Sequence, residues 1–132
     1  MENMSPIERF LRYVKVDTQS DEESGTNPST AKQHDLAGLL AKELEEMGAQ
    51  EVFYDRDKCY VYATVPASEG CENAPVLGFI AHMDTSPAVT GANVKPRIIK
   101  EYDGKDIVLN EAEGIVMKVE DFRSLQDSMG KI

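Results

Sequence analysis

An imidazole and a carboxylate stand two residues apart at the end of an apolar run. Residues 76–81 are almost wholly apolar, and they are followed by His82, one methionine and Asp84. Because alternate side chains of a strand point to the same face, residues i and i+2 can address one site. The run predicts a strand over residues 76–81, with His82 at its carboxyl end and the side chains of His82 and Asp84 on one side.

Two kinds of chemistry fit this pair. Neutral imidazole is a good zinc ligand, and a nearby carboxylate can fix its tautomer and orientation. Ligands of open α/β sheets also bind at the carboxyl ends of the strands. The simpler alternative is that His82 and Asp84 cap the strand and hydrogen-bond the following turn, together with Thr85 and Ser86. Spacing alone favours the simpler alternative, because H-x-D is short and frequent by chance.

Two amphipathic helices are predicted ahead of this strand. Ser5 and Glu8 form a capping-box pattern around a proline, which marks the start of the first helix. The second helix is predicted to begin at Ser29 or Thr30 and to stop before Gly48, which is placed to be the left-handed residue after its end.

Short segments rich in β-branched and aromatic residues predict further strands. The first two of them, separated by three polar residues, read as a hairpin. A weak helical pattern closes the chain. The predicted strands are EVFYD (51–55), CYVYATV (59–65), RIIKEY (97–102) and DIVLN (106–110), and the weak helix is EDFRSLQDSM (120–129).

These elements predict an α/β layer structure whose sheet is incomplete. A continuous apolar strand is typical of the interior of a sheet, with neighbours on both sides and helices on both faces. The chain has too few convincing strands and helices to supply that surrounding. An apolar strand with open edges recruits other strands, so we expect the chain to self-associate or to be marginally stable.

Composition excludes several partners. The formal charge is −10, and the resulting repulsion disfavours nucleic acid and anionic membranes. No apolar segment is long enough to cross a bilayer, and charged residues interrupt the N-terminus, so we expect a cytoplasmic protein. Cys59 and Cys71 are too few and too far apart for a zinc ribbon or a disulfide framework, and we expect free thiols.

Several stretches resemble one family in order along the chain. They are ERFLRYVKVDTQS (8–20), PST (28–30), LLAKELEEMGA (39–49), GFIAHMDTSP (78–87) and GANVKP (91–96). By these stretches the chain is similar to the tripeptide aminopeptidases of the M20 metallopeptidase family. The resemblance implies a catalytic domain of three αβα layers with two zinc ions and an inserted lid domain. It also implies an enzyme that releases the N-terminal residue of tripeptides.

Two residues of this sequence match the family's functional positions. His82 matches a histidine that binds one of the two metals, and Asp84 matches a nearby active-site aspartate. The other ligands and the general base lie in segments that have no match here. The resemblance therefore implies that residues 1–132 are the N-terminal portion of the catalytic domain, without the lid domain or the second half. By itself such a portion is expected to bind zinc weakly or not at all and to be inactive.

A second hypothesis belongs to a different class of protein. A small acidic module could keep part of a peptidase sheet and pair with itself or with another chain through exposed strand edges. A complete tripeptidase in 132 residues is disfavoured because most of the required metal ligands are missing. The acidic residues Asp103, Asp106, Glu111 and Glu113 are predicted to be solvated surface residues rather than substitute ligands.

Overall fold

A computed structural model describes residues 4–131 as a mixed α/β structure with two small antiparallel sheets. The chain divides into two compact units, with the boundary between Pro96 and Arg97. The helices are α1 (Pro6–Tyr13), α2 (Gln33–Glu46) and α3 (Arg123–Gln126), and the strands are β1 (Gln50–Asp55), β2 (Tyr60–Thr64), β3 (Ile107–Asn110) and β4 (Ile115–Met117).

Helix α1 begins as the capping-box pattern predicted. The Ser5 hydroxyl accepts a hydrogen bond from the Glu8 amide at 3.3 Å, and the Glu8 carboxylate accepts one from the Ser5 amide at 2.7 Å. Two amides that the first turn leaves without partners are thereby satisfied.

Helix α2 ends as predicted but begins later than residue 29 or 30. Gly48 follows it with φ +85°, the left-handed conformation that glycine adopts without strain. At the other end, the Gln33 side-chain amide donates to the hydroxyls of Ser29 (3.0 Å) and Thr30 (3.2 Å). Those hydroxyls hold a turn instead of capping a helix, so the regular helix starts at Gln33.

The predicted β1–β2 hairpin is confirmed, and α2 packs against it. The strands are antiparallel, with Phe53 opposite Tyr62. The small core of this unit lies where α2 meets the hairpin, and its buried apolar residues, among those described, are Leu36, Ala37 and Cys59. Cys59 belongs to the turn between the strands and has φ +57°.

The predicted strand over residues 76–81 is wrong. No described residue pairs with this run, and Val76, Phe79 and Ile80 are 96%, 93% and 102% exposed. A strand exists only through ladder hydrogen bonds to a neighbour, and the described residues supply no neighbour here. The expectation that this run would be left uncovered is confirmed by the same exposures.

The second unit is built on a hairpin of β3 and β4. The predicted strand at 106–110 is confirmed as β3, whereas β4 was not predicted. Residues 97–102 form no strand, because Tyr102 instead exchanges backbone hydrogen bonds with Gly130 and Lys131 near the end of the unit. None of the helices within residues 4–131 combines the length and the apolar character that a bilayer crossing requires.

Candidate functional site

His82 and Asp84 contact each other directly. Nδ1 of His82 lies 2.8 Å from the backbone carbonyl oxygen of Asp84 and 3.2 Å from its Oδ1. A carbonyl oxygen only accepts hydrogen bonds, so Nδ1 carries the hydrogen and donates it. In the neutral ring, Nε2 is then left with its lone pair, and the His82 side chain is 84% exposed. The two side chains contact each other, which agrees with the prediction that they share one side of the chain, although residues 82–84 form neither a strand nor a turn.

The backbone immediately after the pair is held by residues 18–20. The Thr85 amide donates to the Thr18 carbonyl at 3.1 Å, and the Ser20 amide donates to the Thr85 carbonyl at 2.9 Å. These bonds form an isolated parallel bridge between Gln19 and Thr85. On the side of residues 18–20 Thr18 is buried, whereas Thr85 is exposed.

Two further contacts fix the turn that follows Asp84. The Gln19 side-chain amide donates to the carbonyls of Pro87 at 3.1 Å and Val89 at 3.0 Å. Gly91 passes so close to Asp17 that an added Cβ would lie 2.7 Å from Asp17 Oδ1. A side chain at position 91 would therefore displace the Asp17 carboxylate.

Asp17 is itself held in its ionised form. Its Oδ1 accepts a hydrogen bond from the Gln19 amide at 3.0 Å, and its Oδ2 forms an ion pair with Lys32 Nζ at 3.0 Å. The amide first and then the lysine lower the pKa of this carboxyl group below its ordinary value, because both stabilise the charged form.

Sequence reasoning missed Asp17, Gln19 and Gly91 as parts of this site. Gln19 lies in the stretch 8–20 and Gly91 in the stretch 91–96, and both stretches carried the family resemblance. No residue pattern links them to His82, because Gln19 binds backbone carbonyls and Gly91 lies close to the Asp17 carboxylate. The only available signal was that the two stretches belong to the same resemblance.

An apolar cavity of about 560 Å³ adjoins His82. It lies between the two helices of the first unit and the segment that carries the pair, and its lining includes Phe10, Val14, Leu36, Leu40, His82, Met83, Val89 and Val94. Such a cavity places an apolar surface beside the exposed imidazole.

The described residues do not bring a set of metal ligands together. Among residues 4–131, no three side chains of histidine, cysteine, aspartate or glutamate come together in a way that could hold a metal ion. The Nε2 lone pair of His82 fits one position of a zinc shell, which normally takes at least three protein ligands. The second unit's acidic residues Asp103, Asp106, Glu111 and Glu113 are all exposed, as predicted.

An imidazole oriented by a neighbouring carboxylate, with its other nitrogen free, is the arrangement found at metal centres of hydrolases. The curated relatives of this chain are peptidases by name. It is 54% identical over 124 residues to Peptidase T of Geobacillus thermodenitrificans (94% of this chain, 30% of the relative) and 52% identical over 127 residues to Peptidase T of Desulfitobacterium hafniense (96% and 30%). It is 47% identical over 132 residues to Peptidase T of Alkaliphilus oremlandii (99% and 32%).

The resemblance predicted from the sequence stretches is thereby confirmed: nearly the whole chain is similar to a part of peptidase T. The chain spans about 30% of the length of these relatives. A search of protein-family models gave no match.

Proposed function

We propose that this chain is the N-terminal portion of the catalytic domain of a zinc-dependent tripeptide aminopeptidase of the peptidase T type. The M20 family, a three-layer αβα domain and tripeptide substrates are all part of this proposal. The observation that carries it is the His82–Asp84 contact, which leaves Nε2 free, in a chain about half identical to proteins named peptidase T. We place the enzyme in the cytoplasm, in keeping with the free thiols of Cys59 and Cys71.

Each residue of the pair has a distinct role in this proposal. His82 holds one metal ion through Nε2. Asp84 is the active-site aspartate, and it orients the imidazole through two acceptors, its carbonyl oxygen and its carboxylate. When bound, zinc lowers the pKa of a water ligand and polarises the scissile carbonyl. The Nδ1–H bond to Asp84 keeps the lone pair on Nε2, in a side chain that is 84% exposed.

The chain alone is proposed to be inactive. One imidazole and one carboxylate cannot both complete a metal shell and supply the general base that takes a proton from water. No third metal-ligating side chain joins them within the part of the chain that the structure describes. We therefore expect no tripeptide cleavage by the 132-residue chain, even with added zinc.

A chimera tests the roles of the pair. In a full-length peptidase T whose matching segment is replaced by this chain, His82→Ala should lower metal content and activity together. Asp84→Ala should retain more metal and still lose activity, because its task is orientation. His34→Ala is the matched control, since His34 lies on α2 and contacts Tyr54. Near-normal turnover of both site variants would refute the assignment.

The exposed apolar run supports the proposal that the chain by itself self-associates. Its side chains are almost fully exposed, and the β1–β2 hairpin offers open edges for pairing. Sedimentation at several protein concentrations should show association that Phe79→Asp weakens. Val65→Asp, at another exposed apolar residue (84%), should have less effect. A monomer at every concentration contradicts this proposal.

The alternative, a non-catalytic assembly module, makes a different prediction for the same samples. Association would again depend on the apolar run. In the chimera, however, substitution of His82 or Asp84 would leave metal content and turnover unchanged.

A further inference from the structure

The Gln19 side chain joins the two segments that form the candidate site. Its Nε2 has two hydrogens, and they are donated to the carbonyls of Pro87 and Val89, in the turn that follows Asp84. Its Oε1 accepts from Lys32 Nζ at 3.4 Å. The amide is therefore held at both ends, and its orientation is fixed by its partners.

The main chain of Gln19 is anchored as well. Its amide donates to Asp17 Oδ1, and its carbonyl accepts from the Thr30 hydroxyl at 2.8 Å. The neighbouring backbone groups pair with Thr85, one residue after Asp84. Every polar atom of Gln19 thus has a partner. Asp17, Thr30 and Lys32 lie in the first of the two segments, and Pro87 and Val89 lie in the second.

We infer that Gln19 is a positioning residue for the His82–Asp84 pair. By clamping the turn after Asp84, it keeps the carbonyl and carboxylate of that residue in front of Nδ1, and the hydrogen stays on that nitrogen. The inference rests on the proposed function, because the pair requires a fixed tautomer only if Nε2 binds a metal.

Two substitutions test whether the hydrogen-bond donors of Gln19, and not the size of its side chain, position the pair. Gln19→Glu keeps the shape but turns a carboxylate oxygen toward two carbonyl oxygens, so attraction becomes repulsion. Gln19→Met removes both donors without adding charge. Gln126→Glu is the matched control, because Gln126 Nε2 donates to the Val119 carbonyl at 3.1 Å in the second unit.

The measurement is the tautomer of His82, read from the nitrogen-15 shifts of its ring in the metal-free, full 132-residue chain at a pH of about 8. The chain has only two histidines, so His34 is an internal reference. In the wild type, the Nδ1 and Nε2 shifts of His82 should be widely separated. In both Gln19 variants that separation should be largely lost, while His34 keeps its shifts. Gln126→Glu should change neither ring.

Two results overturn the inference. One is an unchanged His82 ring in Gln19→Met. The other is a change of His34 in both Gln19 variants, because Gln19 would then hold the whole unit and not the pair. If only Gln19→Glu disturbs His34, Gln19→Met decides the question. Neither metal nor activity enters this measurement, so its failure is distinguishable from failure of the chimera.

Discussion

Gln19 and Thr85 pair as a parallel bridge that lies outside all four strands. The hydrogen bonds of the bridge run from the Thr85 amide to the Thr18 carbonyl and from the Ser20 amide to the Thr85 carbonyl. The bridge thereby joins two stretches that carried the family resemblance separately, and it sets the backbone next to Asp84.

The bridge predicts a contrast in amide hydrogen exchange. The amides of Ser20 and Thr85 should exchange at least about tenfold more slowly than those of residues 77–80, equivalent to about 1.4 kcal/mol. The reason is that, within residues 4–131, the amides of the exposed run donate no hydrogen bond. Native-state exchange followed by NMR measures both sets in one sample. Equal rates, after correction for sequence effects, would contradict the bridge.

Substitution of Glu43 should cause a large loss of stability. Its carboxylate is buried and accepts hydrogen bonds from Arg9 (2.9 Å), Arg12 and Tyr13, so it ties α1 to α2. Glu43→Ala should lower the free energy of unfolding by about 2 to 3 kcal/mol, because charged donors lose their acceptor. Urea denaturation provides the measurement.

A residue on the same helix is the control for Glu43. Glu46 forms a single exposed ion pair with Lys42 at 3.7 Å. Glu46→Ala should change the free energy of unfolding by less than about 1 kcal/mol. Equal losses at the two positions would show that Glu43 is not the link between the helices.

Substitution by alanine should lower the stability at Gly48 and raise it at Gly38. Neither has a neighbouring atom that an added Cβ would meet. Gly48 has φ +85°, so Gly48→Ala should destabilise the chain by about 1 kcal/mol through backbone strain alone. Gly38 lies inside α2, where Gly38→Ala should stabilise by about 0.5 to 1 kcal/mol. Thermal or urea unfolding measures both variants. A stability change in the same direction at both positions would contradict this prediction.

The Asp17 carboxylate should make the stability of the chain depend on pH in the acidic range. Its pKa is lowered in the folded state, so its contribution is present above the ordinary value of 3.8. That contribution is lost as the pH falls through the lower, folded-state pKa, since protonation ends the ion pair with Lys32. Asp17→Asn should therefore be less stable than the wild type near neutral pH, and the difference should shrink in acid. Urea midpoints across this range measure it, and a difference that grows on acidification would be the wrong sign.

Local features of this fold were predictable from sequence, and features that depend on distant partners were not. The Ser5–Glu8 cap, the glycine after α2 and the β1–β2 hairpin each depend on residues close in sequence. The run at 76–81 required a neighbouring strand that the described residues do not supply. In the site, spacing predicted that the side chains of His82 and Asp84 would lie on the same side of the chain. It could not indicate Gln19, whose amide binds main-chain carbonyls that any residue carries.

The Gln19–Thr85 bridge has a consequence for the order of folding. Helix α2 and the β1–β2 hairpin lie between these two residues in sequence and form from local contacts. Closing the long loop that contains them carries a larger entropic penalty than forming either element. Contacts between residues distant in sequence generally form slowly. The segment that carries His82 and Asp84 is therefore expected to reach its final geometry late, after helix α2 and the β1–β2 hairpin have formed.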